Sequence, residues 1–464
     1  MAEIAPQPEP CDVVEERKLD VVVVGAGISG LACAYACNSL GMRVAVFDGS
    51  DAPGGNIRTV HAGGHIIEGG PQSFLSAPAL DHLIDALGLR AKVVASAAEA
   101  KRRYVFTRHG LIAMPASPQA GIMSPLISTS AKWRLLRELF VPKRAGDDEE
   151  SVASFVRRRA GREIVGAIAA PFLAGIHAGD VEKVSLRSAF PALDRMEREH
   201  GSVLRALMRS RRSRTRPLSF SFADGNHVLP SALASALGKS LFLRSPVERV
   251  DVAPDGVTIN VGGAGHSSVR VARVVIAAPA AAAARLIAPF APDAARALSR
   301  IEYAPLVQIA LAYPRATIGV PLDGFAFLAT RDAGVRVLGA VWNSVAFPER
   351  AAKNDVLVTA FVGGAVDRAL AARSDDELVE LVHADLCKVM KIDGACPRLA
   401  AIFRWEPGIP QYNVGHEERL RTIDAEMAQF PAVMLSGNFL RGVSIGDCVR
   451  QAREIALRIS QTPS

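Results

Sequence analysis

The sequence predicts an α/β protein: a doubly wound parallel sheet, a second domain built on a mixed sheet, and a helical subdomain between them. Three stretches carry the prediction. Residues 19–50 read strand, turn, helix, strand; helical patterns dominate residues 81–207; strand-like runs crowd residues 303–364. With 464 residues, 49% of them hydrophobic and 22% charged, the chain exceeds one compact core and has apolar material for two or three.

Val21 to Val24 form an unbroken β-branched run, the pattern of a parallel strand buried on both faces. Gly25-Ala26-Gly27-Ile28-Ser29-Gly30 follows directly and opens a helix predicted to end at Gly41. MRVAVFD then supplies a second strand ending in Asp48. A crossover of this length builds a right-handed parallel unit of the Rossmann type. Gly25 permits the tight turn, Gly27 lets the backbone approach a pyrophosphate, and Gly30 lets the helix pack closely on its strand. Ile28 and Ser29 begin the helix whose free N–H groups face that anion. Asp48 stands at the spacing expected of a carboxylate that accepts from ribose hydroxyls. A second glycine pair, Gly54-Gly55, precedes Arg58 and Thr59 in DAPGGNIRT. Adaptable backbone and a guanidinium there complete the neutralisation of a diphosphate. Nicotinamide cofactors do not need this second clamp; the longer, resident FAD does.

Further along, DHLIDALGLR, KWRLLRELF and ESVASFVRRRAGREIVGAIAAPF read as helices, with a polar hinge, PKRAGDDEE, among them. Strand runs follow in VERVDV, GVTINVG and VRVARVVIAAP, then in VQIALAYP, GFAFLAT, VRVLGAVWN and DVLVTAFVGG. DDELVELVHADLCKVM is a helix, and AVMLSGN with DCVRQAREIALRIS closes the chain as strand and helix. No internal repeat is evident.

Residues 442–446 spell G-x-S-x-G, the turn that presents a nucleophilic serine in many hydrolases. That fold needs its histidine after the serine, and none follows Ser444. Gly437, Asn438, Gly442, Val443 and Ile445 instead read as a turn into a helix N-terminus, with Ser444 as its cap. Backbone N–H groups there stabilise the negative charge of a reduced flavin.

The net charge of +7 is a weak pointer to anionic partners. RSRRSRTR, with five arginines in residues 209–216, reads as a solvated loop or a contact to phosphate or lipid headgroups; without interleaved aromatics it does not indicate nucleic acid. Six cysteines form no disulfide framework and no metal pair, and Cys33 and Cys37 read as packing residues on one helix face. Residues 1–18 lack the apolar segment of a secretory signal, and VVIAAPAAAAARLIAPFAP is too broken by proline to span a membrane. The expectation is a cytoplasmic protein, with SPLISTSAKWRLLRELFVPKR composed like an interfacial segment.

The block GAGISGLACA…VFDGSDAPGGNIRT…GGHIIEGGPQSF resembles the flavoprotein amine oxidase and desaturase superfamily. More narrowly, ALGLRAK, KRRYVFTRHG, DEESVASFVRRR, PFLAGIHAGDVEKVSLRSAFPAL, HGSV, LAYP, FPER, FVGG, IPQYNVGH and SGNFLRGVSIGDC resemble the oxygen-dependent protoporphyrinogen oxidase family. The resemblance runs over nearly the whole chain from Leu19. It implies FAD contacts from Gly70, Pro71, Gln72, Ser73 and Val247 besides those above, and a flavin beside residues 437–446. The Ser-Gly-Gly-Cys-Tyr attachment site of covalent amine oxidases is missing, so the FAD is expected to be non-covalent. For the substrate it implies Arg90 paired with a propionate, Leu328, Val341 and Phe361 sandwiching a macrocycle, and Gly175 with Gly179 in a turn lining the cavity. Val341 is smaller than the leucine usual in the family. His177 is a candidate by position only, and no acid–base pair is assigned.

The implied reaction takes hydride from porphyrinogen bridge carbons to FAD, with dioxygen as final acceptor and hydrogen peroxide formed; coproporphyrinogen and protoporphyrinogen remain alternatives. A homodimer and a peripheral contact with an anionic inner membrane face are the expected associations. The expected layout is a tail at 1–18, FAD-binding parts at 19–90, 209–290 and 401–464, a helical part at 91–208 and a substrate sheet at 291–400.

Overall fold

In the computed structural model, which describes residues 19–115, 118–209, 219–263 and 267–461, the two ends of the chain build one sheet. Its strands, all parallel, run in the order Leu241–Phe242, Val44–Phe47, Val21–Val24, Arg273–Ile276 and Val433–Leu435. Val21, Val22 and Val23 are wholly buried because the sheet is covered on both faces. On one face the helices Ile28–Ser39, Val228–Leu237 and Ile445–Gln461 pack with Val21 and Val23. On the other lie the meander Val247–Ala253, Gly256–Val261, Ser267–Val271 and the helix Ala280–Ile287.

A second sheet has seven strands, ordered Leu399–Pro410, Tyr303–Pro314, Asp355–Gly363, Gly339–Val341, Gly324–Ala329, Arg102–Thr107 and Gly110–Ala113. Every pairing is antiparallel except Gly324–Ala329 with Arg102–Thr107. One face, carrying Phe327, Ala340, Ala360 and Ile309, is sealed by Leu378, Val382 and Leu386 of the helix Asp375–Met390.

Two expectations are corrected. The segment read as helical from residue 91 begins with strands, two of which extend the seven-stranded sheet; helices run only from Pro118 to Arg209. The division at 400/401 falls inside the strand Leu399–Pro410, which belongs wholly to the seven-stranded sheet. The polar hinge is tied to its surroundings. Glu149 accepts from the Gly415 N–H at 2.7 Å, and Glu150 pairs with Arg158 at 2.7 Å. Residues 1–18 and most of the arginine-rich loop lie outside the described residues.

Candidate functional site

The first turn is shaped as its glycines require. Gly25 takes φ +109°, and a β-carbon there would sit 2.9 Å from the Ala277 carbonyl oxygen. One on Gly30 would lie 1.9 Å from the Gly25 oxygen, whereas one on Gly27 meets nothing within 4 Å. Two glycines thus face protein closely, and the third leaves room beside its backbone at the start of the helix Ile28–Ser39. The second glycine pair closes on it: Gly54 donates to the Ala26 carbonyl at 2.8 Å and forms a parallel bridge with Gly27. A dinucleotide diphosphate fits this bare, N–H-rich backbone.

Asp48 caps the second strand. Its Oδ2 accepts from the Ala26 N–H at 2.5 Å, and its Oδ1 accepts from Ser50 N at 2.6 Å and Ser50 Oγ at 2.5 Å. The carboxylate is thereby fixed with acceptor capacity left on Oδ2. Arg58 lies with its guanidinium 5.4 Å over the Trp405 ring, whose Nε1–H donates to the Gly69 carbonyl at 2.5 Å. Val247, half-buried, packs against the core beneath the parallel sheet.

Residues 68–73 form the seam between the two sheets. A β-carbon on Gly70 would lie 1.8 Å from the Asn56 carbonyl oxygen, so this segment rides directly on the glycine clamp. Pro71 accepts from Asn226 Nδ2 at 2.7 Å, and half-buried Ser73 follows the buried Gln72. The Gln72 amide donates to Gln308 at 2.9 Å and accepts from Asn343 at 2.6 Å. Beneath it, the buried Glu68 carboxylate accepts from Arg350 at 2.8 Å, Asn226 N at 2.8 Å and Thr59 Oγ1 at 2.7 Å. Burial pushes the Glu68 carboxyl up against the opposing pull of Arg350.

The C-terminal turn arrives at the same cleft. Ser436 N donates to the Ile276 carbonyl at 3.0 Å, and the helix Ile445–Gln461 packs in one core with the helix Ile28–Ser39. Ser444 caps the helix Ile445–Gln461: its Oγ accepts from Asp447 N at 3.1 Å and donates to Asp447 Oδ2 at 2.5 Å. The hydroxyl is held by a carboxylate, with no histidine among its hydrogen-bond partners, so the hydrolase pattern is a cap.

The face of the seven-stranded sheet opposite the helix Asp375–Met390 supplies a largely apolar wall. Leu328, Gly339, Phe361, Gln308 and Phe403 stand opposite one another in register, so they share a face. Val341, two residues beyond Gly339, shares it too. Leu328, Val341 and Phe361 are each half-buried there, while the reverse face is core. Gly175, expected in a turn, instead lies in the helix Ala170–His177; the turn comes after it, at Ala178 with φ 48°. The reason is packing. A β-carbon on Gly175 would sit 2.3 Å from Leu328 Cδ2, so the glycine lets this helix rest on the wall.

Arg90 is not drawn into that wall by any of its hydrogen bonds. It donates to Asp85 at 2.7 Å and 2.9 Å and to Asp81 at 3.3 Å, at the end of the helix Pro78–Ala86. His177, 6% exposed, stands edge-on to Phe190, and burial lowers its pKa to about 4. It is neutral near pH 7. Sequence reasoning missed Gln308, Asn343, Trp405 and Tyr412. Tyr412 lay in a quoted motif, IPQYNVGH; the others carried no local signal.

Residues 28–460 match the model of the flavin containing amine oxidoreductases. Coproporphyrinogen III oxidase of Bacillus subtilis (strain 168) is 29% identical over 95% of this chain and 97% of its own. The chloroplastic protoporphyrinogen oxidase of Nicotiana tabacum is 31% identical over 96% of this chain and 86% of its own. A crystal structure from Exiguobacterium sp. 255-15, provisionally named a protoporphyrinogen oxidase, superposes with TM-score 0.83 at 24% identity, covering 96% of this chain and 99% of that one.

Proposed function

The chain belongs to the flavin containing amine oxidoreductase family and is an FAD-dependent oxidoreductase, and from that premise we propose that it oxidises protoporphyrinogen IX to protoporphyrin IX, in heme synthesis, with dioxygen as acceptor. The observation that carries the reading is the half-buried apolar row Leu328, Val341 and Phe361, on the sheet face opposite the helix Asp375–Met390. A flat, greasy macrocycle with carboxylates at its rim needs such a wall. The named relatives, which act on porphyrinogens by their printed names, support the substrate class.

When bound, FAD would supply a two-electron acceptor for hydride from the saturated bridge carbons, three times per macrocycle, each hydride matched by a proton released from the ring to solvent, with dioxygen receiving each electron pair as hydrogen peroxide. The rest falls to the chain. Gly27, Gly54 and Gly55 cradle the diphosphate with main-chain N–H groups, aided by Arg58, and Asp48 accepts from the ribose. Gly70 to Ser73 and residues 437–445 border the opposite end of the cofactor. The wall and the helix Ala170–His177 exclude water and orient the ring, which is the larger part of catalysis when conjugation drives the reaction. Arg90 serves one rim carboxylate, in exchange for its contacts with Asp85 and Asp81. No side chain is asked to move a proton, in keeping with the neutral, enclosed His177.

A second reading, oxidation of coproporphyrinogen III, is favoured by the Bacillus relative and by the smaller Val341. Rates of porphyrin fluorescence and hydrogen peroxide formation with the two porphyrinogens, side by side, decide between them; turnover of neither overturns both. We also infer a peripheral membrane contact. No helix among the described residues is long and apolar enough to cross a membrane. Met123, Trp133, Leu136 and Phe140 are nonetheless exposed on the helical part, beside Lys132 and Arg137, as an interfacial surface requires.

A further inference from the structure

One short segment, residues 411–416, links the helix Ala170–His177 to the 437–442 turn, and the cofactor and substrate residues assigned above do not include it. Gln411 and Tyr412 are each 3% exposed and follow the last strand of the seven-stranded sheet. Gln411 Nε2 donates to the His177 carbonyl at 2.8 Å, at the end of the helix that rests on Leu328. The Tyr412 carbonyl accepts from Ser185 N at 2.8 Å on the same side. Its hydroxyl points the other way: it donates to the Asn438 carbonyl and accepts from the Gly442 N–H at 3.0 Å. His416 stacks on the Tyr412 ring with centroids 4.3 Å apart, and its Nε2 meets the Leu440 carbonyl at 3.0 Å.

We propose that Gln411 and Tyr412 are positioning residues, a two-residue strap that holds the cavity helix and the 437–442 turn in fixed register. His416 on the Leu440 carbonyl, Gln451 on the Arg441 carbonyl at 2.8 Å and the buried Phe439 and Leu440 also hold this turn, but the Gly442 N–H, at φ +98° beside the helix cap, and the Asn438 carbonyl take their partner from Tyr412. Without the phenol, one N–H and one carbonyl of that turn lose their partner and its N–H groups lose their aim. Gln411, back to back with Tyr412 in the chain, transmits the same register to the wall. The two residues therefore divide the labour, with Tyr412 governing the cofactor end and Gln411 the substrate end. This rests on the porphyrinogen-oxidising reading of the site.

Tyr412→Phe keeps the ring and its stack on His416 while removing only the hydroxyl. The expected result is apoprotein of unchanged fold by circular dichroism, with an FAD dissociation constant raised about fivefold and a shifted flavin visible spectrum. Gln411→Leu is expected to raise the KM for protoporphyrinogen severalfold and leave the FAD constant unchanged. Hydrogen exchange on the wild-type apoprotein provides an arm free of variants: the Gly442 amide should be protected before FAD is added. Wild-type FAD affinity and spectrum in folded Tyr412→Phe, or a Gly442 amide that exchanges freely until FAD binds, overturns the strap. A wild-type protein that binds FAD but oxidises no porphyrinogen overturns the functional reading and leaves the cofactor half of the strap to stand or fall on its own measurements.

Discussion

Gly27→Ala separates cofactor binding from folding. Gly27 has φ −71° and ψ 174°, an extended conformation open to alanine. The added methyl meets no protein atom within 4 Å. The apoprotein should therefore change in stability by no more than about 0.5 kcal/mol, with the reduced freedom of the unfolded chain acting in its favour. The same methyl enters the cradle a diphosphate would fill. Forcing a group into a filled site costs about 1–3 kcal/mol, and about 1.4 kcal/mol corresponds to a tenfold change in affinity. FAD should bind about ten- to a hundredfold more weakly, read from quenching of flavin fluorescence on titration into apoprotein. Thermal unfolding of the two apoproteins supplies the control. Gly30→Ala is the contrast: its methyl would lie 1.9 Å from the Gly25 oxygen, so the apoprotein itself should melt at lower temperature. Wild-type FAD affinity in Gly27→Ala, or an apoprotein as damaged as Gly30→Ala, refutes the assignment.

Arg350→Met should cost about 3–5 kcal/mol in urea unfolding, since it strands the Glu68 carboxylate at 1% exposure; adding Glu68→Gln should recover part of the loss, and no recovery would mean the pair is not the cause. His177 has a folded pKa of about 4 against an ordinary 6.5, so its contribution is fully present above pH 6.5 and is lost as pH falls from 6.5 toward 4. By pH 5 about 2 kcal/mol should be gone, and His177→Gln should show a correspondingly flatter stability–pH curve. Arg90→Ala should raise the KM for porphyrinogen about tenfold with unchanged flavin content; equal loss of flavin would make it a structural cation of the helix end. Phe140→Asp should reduce sedimentation with anionic vesicles and leave turnover of soluble substrate intact, because Phe140 is 84% exposed; unchanged sedimentation removes that surface from the membrane model.

What the sequence made legible was local. A valine run, three glycines with distinct steric duties and a terminal aspartate lie within residues 21–48, and each duty is set by neighbours a few positions away. The Ser444 cap was readable for the same reason, since its partner Asp447 is three residues on. The hairpin at 102–113 was a local signal that went unread, whereas its place in the sheet was hidden, because Arg102–Thr107 joins through Gly324–Ala329, some two hundred residues later. Gly175 looked like a turn residue because glycine usually marks one. Here it is needed for a helix to approach Leu328, a contact between segments 153 residues apart.

Gln72 shows how a residue can be rightly singled out while its work stays hidden. The family resemblance places it at the cofactor, which suggests an amide offered to a ligand. In the structure that amide is already occupied: Nε2 faces the Glu68 and Gly70 carbonyls and Gln308, and Oε1 takes the Asn343 amide. A buried amide with its donors committed has little left for FAD. Its service is to pin the 68–73 backbone, which rides on Asn56 of the glycine clamp, to the strand that carries Gln308 in the row of the apolar wall. The glycine cradle and the proposed substrate wall come from different sheets, and a few buried polar bonds set the distance between them. Glu68 with Arg350 and Gln72 with Gln308 do this on one side of the cleft, as Tyr412 and Gln411 do on the other. Hydride transfer tolerates little error in that distance, and apolar packing alone, being non-directional, fixes it poorly. The chemistry proposed for this site therefore depends on side chains that never need to touch the substrate.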